Sequence, residues 1–485
     1  MNYSVIRTIL GKLAILLAGL MVLPLIVSLL YQEGVRNILS FLIPIVTLAV
    51  LGILLNIRKA TNLKMQVREG AVIVGLAWLL MSLIGAIPFM ISKEIPNFFD
   101  AFFESASGFT TTGASVVTNV NELSHSILFW RSFTHWIGGM GVLVFILAII
   151  PESKEGTAMY LLRAESPGPQ VGRLVSKMQV SSRILYIIYI VITVVEFLLL
   201  WLGPDKQMTL FNSMVYTFGT AGTGGFAVHA DSLESFSIYS QYVVSAFMLI
   251  FGINFSLFYL ILIGKGKEIL KNTEFKVYLG IVLVSITIIC ANIFSMYNNF
   301  EEAFRASLFQ VSSIISTTGF STTNFDAWPA LSKTILLLLM IFGACAGSTA
   351  GGMKISRIVI LIKSAIRKIK LSIYPRTVET VHMDKKPLPD EQINSVNAYF
   401  VIYFSLLIMC ALLLSVDNFD ITTNFTASLA CISNVGPGLG SVGPYGSYSM
   451  FSGFSKFILT IEMIAGRLEL FPILILFSPK TWKKI

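Results

Sequence analysis

The stretch Ser316-Thr317-Thr318-Gly319-Phe320-Ser321 sets three hydroxyl side chains directly before a glycine, and weaker copies of it recur three times. They are Thr111-Thr112-Gly113-Ala114-Ser115, Thr223-Gly224-Gly225-Phe226-Ala227 and Asn434-Val435-Gly436-Pro437. Aligned on Gly113, Gly225, Gly319 and Gly436, the copies also agree upstream. An apolar residue stands eleven positions earlier (Phe102, Met214, Leu308, Phe425) and a small one six positions earlier (Ser107, Gly219, Ser313, Ala430). A backbone that aims successive carbonyl oxygens at one axis needs dihedrals that side chains resist, and glycine adopts them at little steric cost. The preceding threonines and serines bring hydroxyl oxygens and can satisfy nearby backbone groups. A ring of such oxygens can replace the water around a small cation, as in potassium-channel filters. Four copies therefore predict four walls of one pore. Its coordinating residues would be Thr111, Thr112, Gly113, Thr223, Gly224, Gly225, Thr317, Thr318, Gly319, Asn434, Val435 and Gly436. A single copy would read as an ordinary Gly/Thr turn outside the membrane; fourfold recurrence with the same lead argues against that.

Positioning such turns needs a helix that enters the membrane and stops. Each copy has an apolar lead too short to span but long enough to dip in and return: Phe98 to Ser107, Thr209 to Phe218, Ala303 to Ser313 and Phe425 to Ser433. Around them run apolar segments long enough to cross a bilayer, at about residues 10–32, 38–57, 70–92, 125–150, 184–203, 238–263, 276–297, 329–362, 395–416 and 452–478. The repeat unit is helix, half-helix, turn, helix. The expected fold is an all-α polytopic membrane protein with four pseudo-symmetric repeats of this kind around one ion pore, plus two extra N-terminal transmembrane helices. Residues 1–68 hold the extra pair, and the repeats fall at 69–160, 161–270, 271–392 and 393–485.

Composition agrees with a membrane chain. More than half of the 485 residues are apolar (55%), only 13% are charged, and the mean hydropathy is +0.78; a soluble domain is excluded. No small-residue cleavage pattern ends the first apolar run, which reads as a retained span. The net charge of +9 does not point to nucleic acid, because most of the 35 lysines and arginines sit in short loops that alternate with the spans. With the N-terminus cytoplasmic, the loops around 58–68, 151–183, 264–276 and 354–390 and the tail from Lys480 all become cytoplasmic, as the positive-inside rule requires. The turns then open from the outside, and both termini lie in the cytoplasm. The four cysteines show no CxxC pairing, so neither a disulfide framework nor a zinc site is indicated.

Two further stretches fit a pore. In the eighth span, Gly343-Ala344-Cys345-Ala346-Gly347-Ser348-Thr349-Ala350-Gly351-Gly352-Met353-Lys354 interrupts the apolar run. So many small residues weaken a helix, and irregular backbone at membrane depth survives only where it lines a cavity or is buried in protein. The segment is expected across the pore below the turns, with close helix packing through small residues as the alternative. In the last span, Glu462, Arg467 and Glu469 are costly unless paired or facing a wet cavity. Arg467 either pairs with a glutamate or stands at the cavity wall beneath the turns, where its charge would help a cation leave.

Taken together, Ser107 to Ala114, Arg131-Ser132-Phe133-Thr134-His135-Trp136-Ile137-Gly138-Gly139-Met140-Gly141, Ser316 to Asn324, Ala346 to Gly352 and Gly466-Arg467-Leu468-Glu469 resemble the superfamily of Trk, Ktr and HKT potassium transporters, specifically its TrkH branch. The resemblance covers essentially the whole chain, and the extra N-terminal pair is similar to TrkH rather than to the shorter Ktr subunit. It implies that Gly113, Gly225, Gly319 and Gly436 mark a selectivity filter and that Gly347, Ser348, Thr349, Ala350, Gly351 and Gly352, with Lys354, form an intramembrane gating loop. It also implies that Arg467 lines the pore. A glycine in all four copies is the potassium-favouring pattern of that superfamily; the second copy departs most, with Gly224-Gly225. The resemblance further implies a homodimer above a cytoplasmic nucleotide-binding regulatory subunit of the TrkA type. ATP, ADP or NAD would bind that partner alone, since this chain has no Rossmann or P-loop fingerprint. Arg367, Lys368, Lys370 and Arg376 would form the docking surface or, equally, anchors at lipid headgroups.

The reading is potassium uptake across the cytoplasmic membrane, channel-like, gated and driven by the membrane potential, with no covalently bound cofactor and no enzyme chemistry. The alternative is an ion-coupled secondary transporter moving potassium with protons or sodium. Inverted repeats would favour it, whereas here every repeat begins on the same side. His125, His135, His229 and His382 show neither HExxH nor metal spacing, and His135 beside Trp136 reads as a packing and hydrogen-bonding group.

Overall fold

The computed structural model describes residues 1–57, 67–141 and 178–483. Helices α1 (Tyr3–Leu20), α2 (Val22–Leu30) and α3 (Gly34–Asn56) form the N-terminal pair of spans. Four units then follow. The first holds α4 (Val67–Gly85), α5 (Ile87–Ser92), the half-helix α6 (Phe98–Phe109) and α7 (His125–Gly139). The second holds α8 (Met178–Trp201), the half-helix α9 (Leu210–Gly222), α10 (Ile238–Phe251) and α11 (Phe255–Leu262). The third holds α12 (Thr273–Ile293), the half-helix α13 (Phe300–Ile315), α14 (Ala330–Phe342) and α15 (Ile355–Ile373). The fourth holds α16 (Asp390–Leu414), the half-helix α17 (Ile421–Ser433), α18 (Gly453–Arg467) and α19 (Phe471–Phe477). A two-residue hairpin pairing His382 with Pro387 joins the third unit to the fourth.

The half-helices start where the sequence supplies a cap. Asn97, Thr209, Asn299 and Asp420 each accept a hydrogen bond through the side chain from a backbone N–H of the first turn, which satisfies donors a helix start leaves open. Their other ends are buried at the centre of the molecule, from Ala101 to Phe109 in α6 and from Ala427 to Ser433 in α17.

The helix that closes each unit is less regular than its hydropathy suggests. The apolar run 238–263 predicts one straight span, but α10 and α11 meet at a bend of 92°, where Asn254 caps α11 by accepting from Ser256 N at 2.8 Å. The run 452–478 breaks as well: Glu469 and Leu470 are left-handed (φ 53° and 69°) and Pro472 opens α19. The run 329–362 breaks over 343–354 as its composition predicts. In the first unit α7 ends at Gly139; residues 142–150 of the expected span 125–150 lie outside the described residues, as do most of the loop 151–183, most of the loop 58–68 and the boundary expected at 160. Among the described residues, six helices or collinear pairs are long and apolar enough to cross a membrane. Large apolar side chains such as Leu283, Ile408 and Leu412 project outward from α12 and α16, as lipid-facing helices require.

Candidate functional site

All four half-helices end in the same way. The N–H groups of Thr112, Gly224, Thr318 and Val435 donate to the carbonyls of Ser107, Gly219, Ser313 and Ala430 at 2.9, 2.8, 2.9 and 2.9 Å. These acceptors are the small residues six positions before each glycine. One residue earlier, Thr111, Thr223, Thr317 and Asn434 are left-handed, with φ of 57°, 55°, 57° and 54°. A helix closed by such a bond usually carries glycine at the left-handed position; a side chain held there in strain costs roughly 1–3 kcal/mol. Asparagine tolerates it best. The glycines Gly113, Gly225, Gly319 and Gly436 are left-handed in turn, at 79°, 77°, 86° and 95°. This double signature fixes the second copy: Gly225 matches the other glycines, and Gly224 stands where Thr112, Thr318 and Val435 stand.

The four turns touch in cyclic order. A Cβ added to Gly113 would strike the carbonyl oxygen of Gly224, one on Gly225 that of Thr318, and one on Gly319 that of Val435. One on Gly436 would meet the carbonyl oxygen of Thr112 at 2.7 Å. Unit one thus abuts two, two abuts three, three abuts four, and four abuts one. Thr112, Gly224, Thr318 and Val435 are buried, yet among the described residues their carbonyls accept no hydrogen bond. Buried carbonyls are rarely left so. Four of them on a closed ring, beside the negative ends of four half-helix dipoles, present oxygen atoms of the kind that can bind a cation. The hydroxyls of Thr112 and Thr318 reach those of Thr110 and Ser316 at 2.7 Å, and so brace the turns.

A cavity lies on either side of the ring. The outer one, about 150 Å³, is lined by all four glycines together with Ser115 and Tyr448. The inner one, about 130 Å³, is lined by Gly139, Gly347, Gly351, Lys354 and Arg467 among others.

Between ring and inner cavity runs the segment 343–354. Gly351 N donates to Thr317 Oγ1 at 2.7 Å and Gly352 N to Ser433 O at 2.9 Å, so the segment hangs directly beneath the third and fourth turns. Glu274 of α12 holds both its flanks, accepting from Ala346 N at 2.7 Å and Ser356 N at 3.0 Å. Lys354 Nζ turns back onto Ala350 O. Arg467 spans the space, donating to Thr349 O at 2.8 Å and to Gly138 O and Gly139 O at 2.6 Å each. It stands at the cavity wall. Glu469 instead binds Arg357, whose guanidinium lies 4.1 Å from the Tyr399 ring, and Glu462 accepts from Ser428 Oγ at 2.6 Å.

One buried ion pair beside the ring escaped the sequence. Arg131 Nε donates to Glu104 Oε1 at 2.8 Å with both side chains buried; Glu104 also accepts from Val116 N at 3.0 Å, and Arg131 donates to Ser115 Oγ at 3.1 Å. The pair clamps the segment that leaves the first turn. Its signal was two opposite charges within apolar segments, one on a half-helix and one on the span after it.

The TrkH family, described as cation transport proteins, matches residues 37–484. Over 492 residues the chain is 34% identical to the Trk system potassium uptake protein TrkH of Salmonella typhimurium, covering 100% of both. It is 31% identical to the Trk system potassium uptake protein TrkG of Escherichia coli K12, again over 100% of both. Its structure is similar to the crystal structure of the potassium transporter TrkH from Vibrio parahaemolyticus, with a TM-score of 0.88, 32% identity and full coverage of each chain.

Proposed function

Because this chain belongs to the TrkH family of cation transport proteins, we propose that its ring of turns is the selectivity filter through which it takes up potassium. The observation that carries the reading is the closed cycle in which each glycine abuts a carbonyl of the next unit that accepts no hydrogen bond among the described residues. Carbonyl oxygens there replace the hydration shell of the ion. Thr111, Thr112, Gly113 and their counterparts in the other three turns form the site. The chain is a multi-pass membrane protein and a transporter; the cytoplasmic membrane and cytoplasmic termini follow from its basic loops. The repeats are assigned to 69–160, 161–270, 271–392 and 393–485.

Flux is passive and gated in this scheme. The segment Gly347 to Gly352 occludes the path below the ring, tied to the third turn through Thr317 and to the first unit through Arg467. Lys354 and Arg467 place positive charge beside the inner cavity, which discourages an ion from lingering there. Gating signals reach the chain through a homodimer seated on a cytoplasmic nucleotide-binding partner. The exposed face of α15, with Lys368 and Lys370 beside Ile366, Ile369 and Ile373, and Arg376 just past its end, suits either that partner or the headgroup layer. Arg367 and Lys370 already pair with Asp390 and Glu379 at 2.6 and 3.3 Å. The test is a reversal-potential measurement in reconstituted bilayers with potassium and proton gradients set independently. A potential that follows potassium alone supports passive flux; one that moves with the proton gradient replaces it with coupled transport.

A further inference from the structure

The second turn lacks a side chain where the first, third and fourth carry Thr112, Thr318 and Val435. The room is not empty. A Cβ on Gly224 would strike the imidazole of His135, which comes from α7 of the preceding unit, and one on Gly222 would meet His135 Cβ at 2.9 Å. His135 is fully buried. Its Nε2 lies 3.3 Å from Phe226 N, which can only donate, so Nε2 carries the lone pair. The proton is therefore on Nδ1, which donates to Gly108 O at 2.8 Å. One ring thus joins the first half-helix to the residue that follows Gly225. Arg131, four residues earlier on the same face of α7, covers Phe226 from 4.1 Å, while the His135 ring lies 4.3 Å from it by centroids.

We propose that His135 is a positioning residue for the second turn: its imidazole takes the place of the side chain missing at Gly224 and holds that turn's carbonyl in the ring. The glycine is there because the histidine is there. The inference rests on reading the ring as the filter, and it extends that reading by naming what sets one of its four walls. In repeats one and three the corresponding bracing comes from paired hydroxyls within the turn itself.

The experiment is a double-mutant cycle on the full-length protein in bilayers, read as the potassium-to-sodium permeability ratio. Gly224→Ala alone is expected to lower the ratio about tenfold, as coupled neighbours allow. His135→Ala alone should lower it comparably, and adding Gly224→Ala to that background should change it by less than about twofold. His135→Gln, whose amide offers both a donor for Gly108 O and an acceptor for Phe226 N, should recover most of the loss. Additive losses, or a His135→Ala protein with the parent's ratio, overturn the proposal. Should the alanine variants fail to assemble, nitrogen-15 NMR of histidine-labelled parent protein decides. A neutral, Nδ1-protonated His135 supports the proposal and an Nε2-protonated ring refutes it. Gly319→Ser run in parallel keeps the two readings apart: if it leaves selectivity unchanged, the filter itself is misplaced. If it lowers selectivity while the His135 cycle shows no coupling, only the positioning role falls.

Discussion

A serine at Gly319 tests the ring most directly. The residue is left-handed at φ 86°, and a Cβ there would strike the carbonyl of Val435 and approach Pro437 Cδ to 2.8 Å. Two effects follow, and they can be separated. Holding a side chain in a sparsely populated conformation costs roughly 1–3 kcal/mol, which lowers stability wherever it occurs. The collision is particular to the ring: the fourth turn must move, and with it an oxygen that would coordinate the ion. If that shift weakens the site for potassium relative to sodium by about 1–2 kcal/mol, the permeability ratio falls about 5- to 30-fold. The assay is a bi-ionic reversal potential on purified protein in planar bilayers. Gly264→Ser is the control, because Gly264 has a similar φ of 76° but nothing within 4 Å of an added Cβ. It should be destabilised and keep the parent's ratio. A Gly319→Ser protein that also keeps the parent's ratio would refute the assignment of these turns as the filter.

The remaining predictions concern what surrounds the ring. Deleting Gly347 to Gly352 removes the bonds to Thr317 and Ser433 and should raise flux in liposome uptake; lost flux with an unchanged melting profile would instead make the segment a packing element. Arg357→Ala strands the buried Glu469 and should cost about 3–5 kcal/mol in stability, read as a lower melting temperature in detergent, with the Arg357→Ala, Glu469→Ala double variant recovering part of it. Charge reversal at Lys368 and Arg376 should weaken co-purification of a nucleotide-binding partner. The chain alone should show no saturable nucleotide binding by calorimetry, and tight binding would sink that scheme.

Much of the architecture was legible because hydropathy acts locally. The apolar leads give the half-helices to within a few residues, while the caps Asn97, Thr209, Asn299 and Asp420 that set their starts emerge from the structure. The small residue six positions before each glycine was visible too, but not its purpose: its carbonyl accepts the bond that closes the helix, and bulk there would crowd the centre. The bend between α10 and α11 was hidden, since hydropathy sums over Gly252-Ile253-Asn254 without registering that Asn254 starts a new helix at right angles. The register of the second turn could not be decided between Gly224 and Gly225 by spelling alone, because backbone handedness distinguishes them and composition does not. Glu104 and Arg131, far apart in sequence, become one clamp only when α6 lies against α7.

Fourfold geometry here arises from four unlike solutions. The first turn is braced by Thr110 and by Asn434 Nδ2, which donates to Thr112 Oγ1 at 2.9 Å across the junction with the fourth unit. The second leans on His135, and the third pairs Ser316 with Thr318 while Thr317 receives the segment below. The fourth uses asparagine at the left-handed position, and Tyr448 donates to Gly436 O at 2.9 Å. What all four share is backbone: two left-handed residues, one closing bond to a small residue, and one glycine against a neighbour's carbonyl. A backbone ring constrains dihedrals and close approaches far more than side-chain identity, so the four copies share the glycine, the small residue six positions before it and an apolar residue eleven before it, and little else. The bracing differs from wall to wall because each turn has a different neighbour behind it. The ring is therefore symmetric where an ion would meet it and asymmetric one layer out, where the segment below is hydrogen-bonded to Thr317 of the third unit and Ser433 of the fourth.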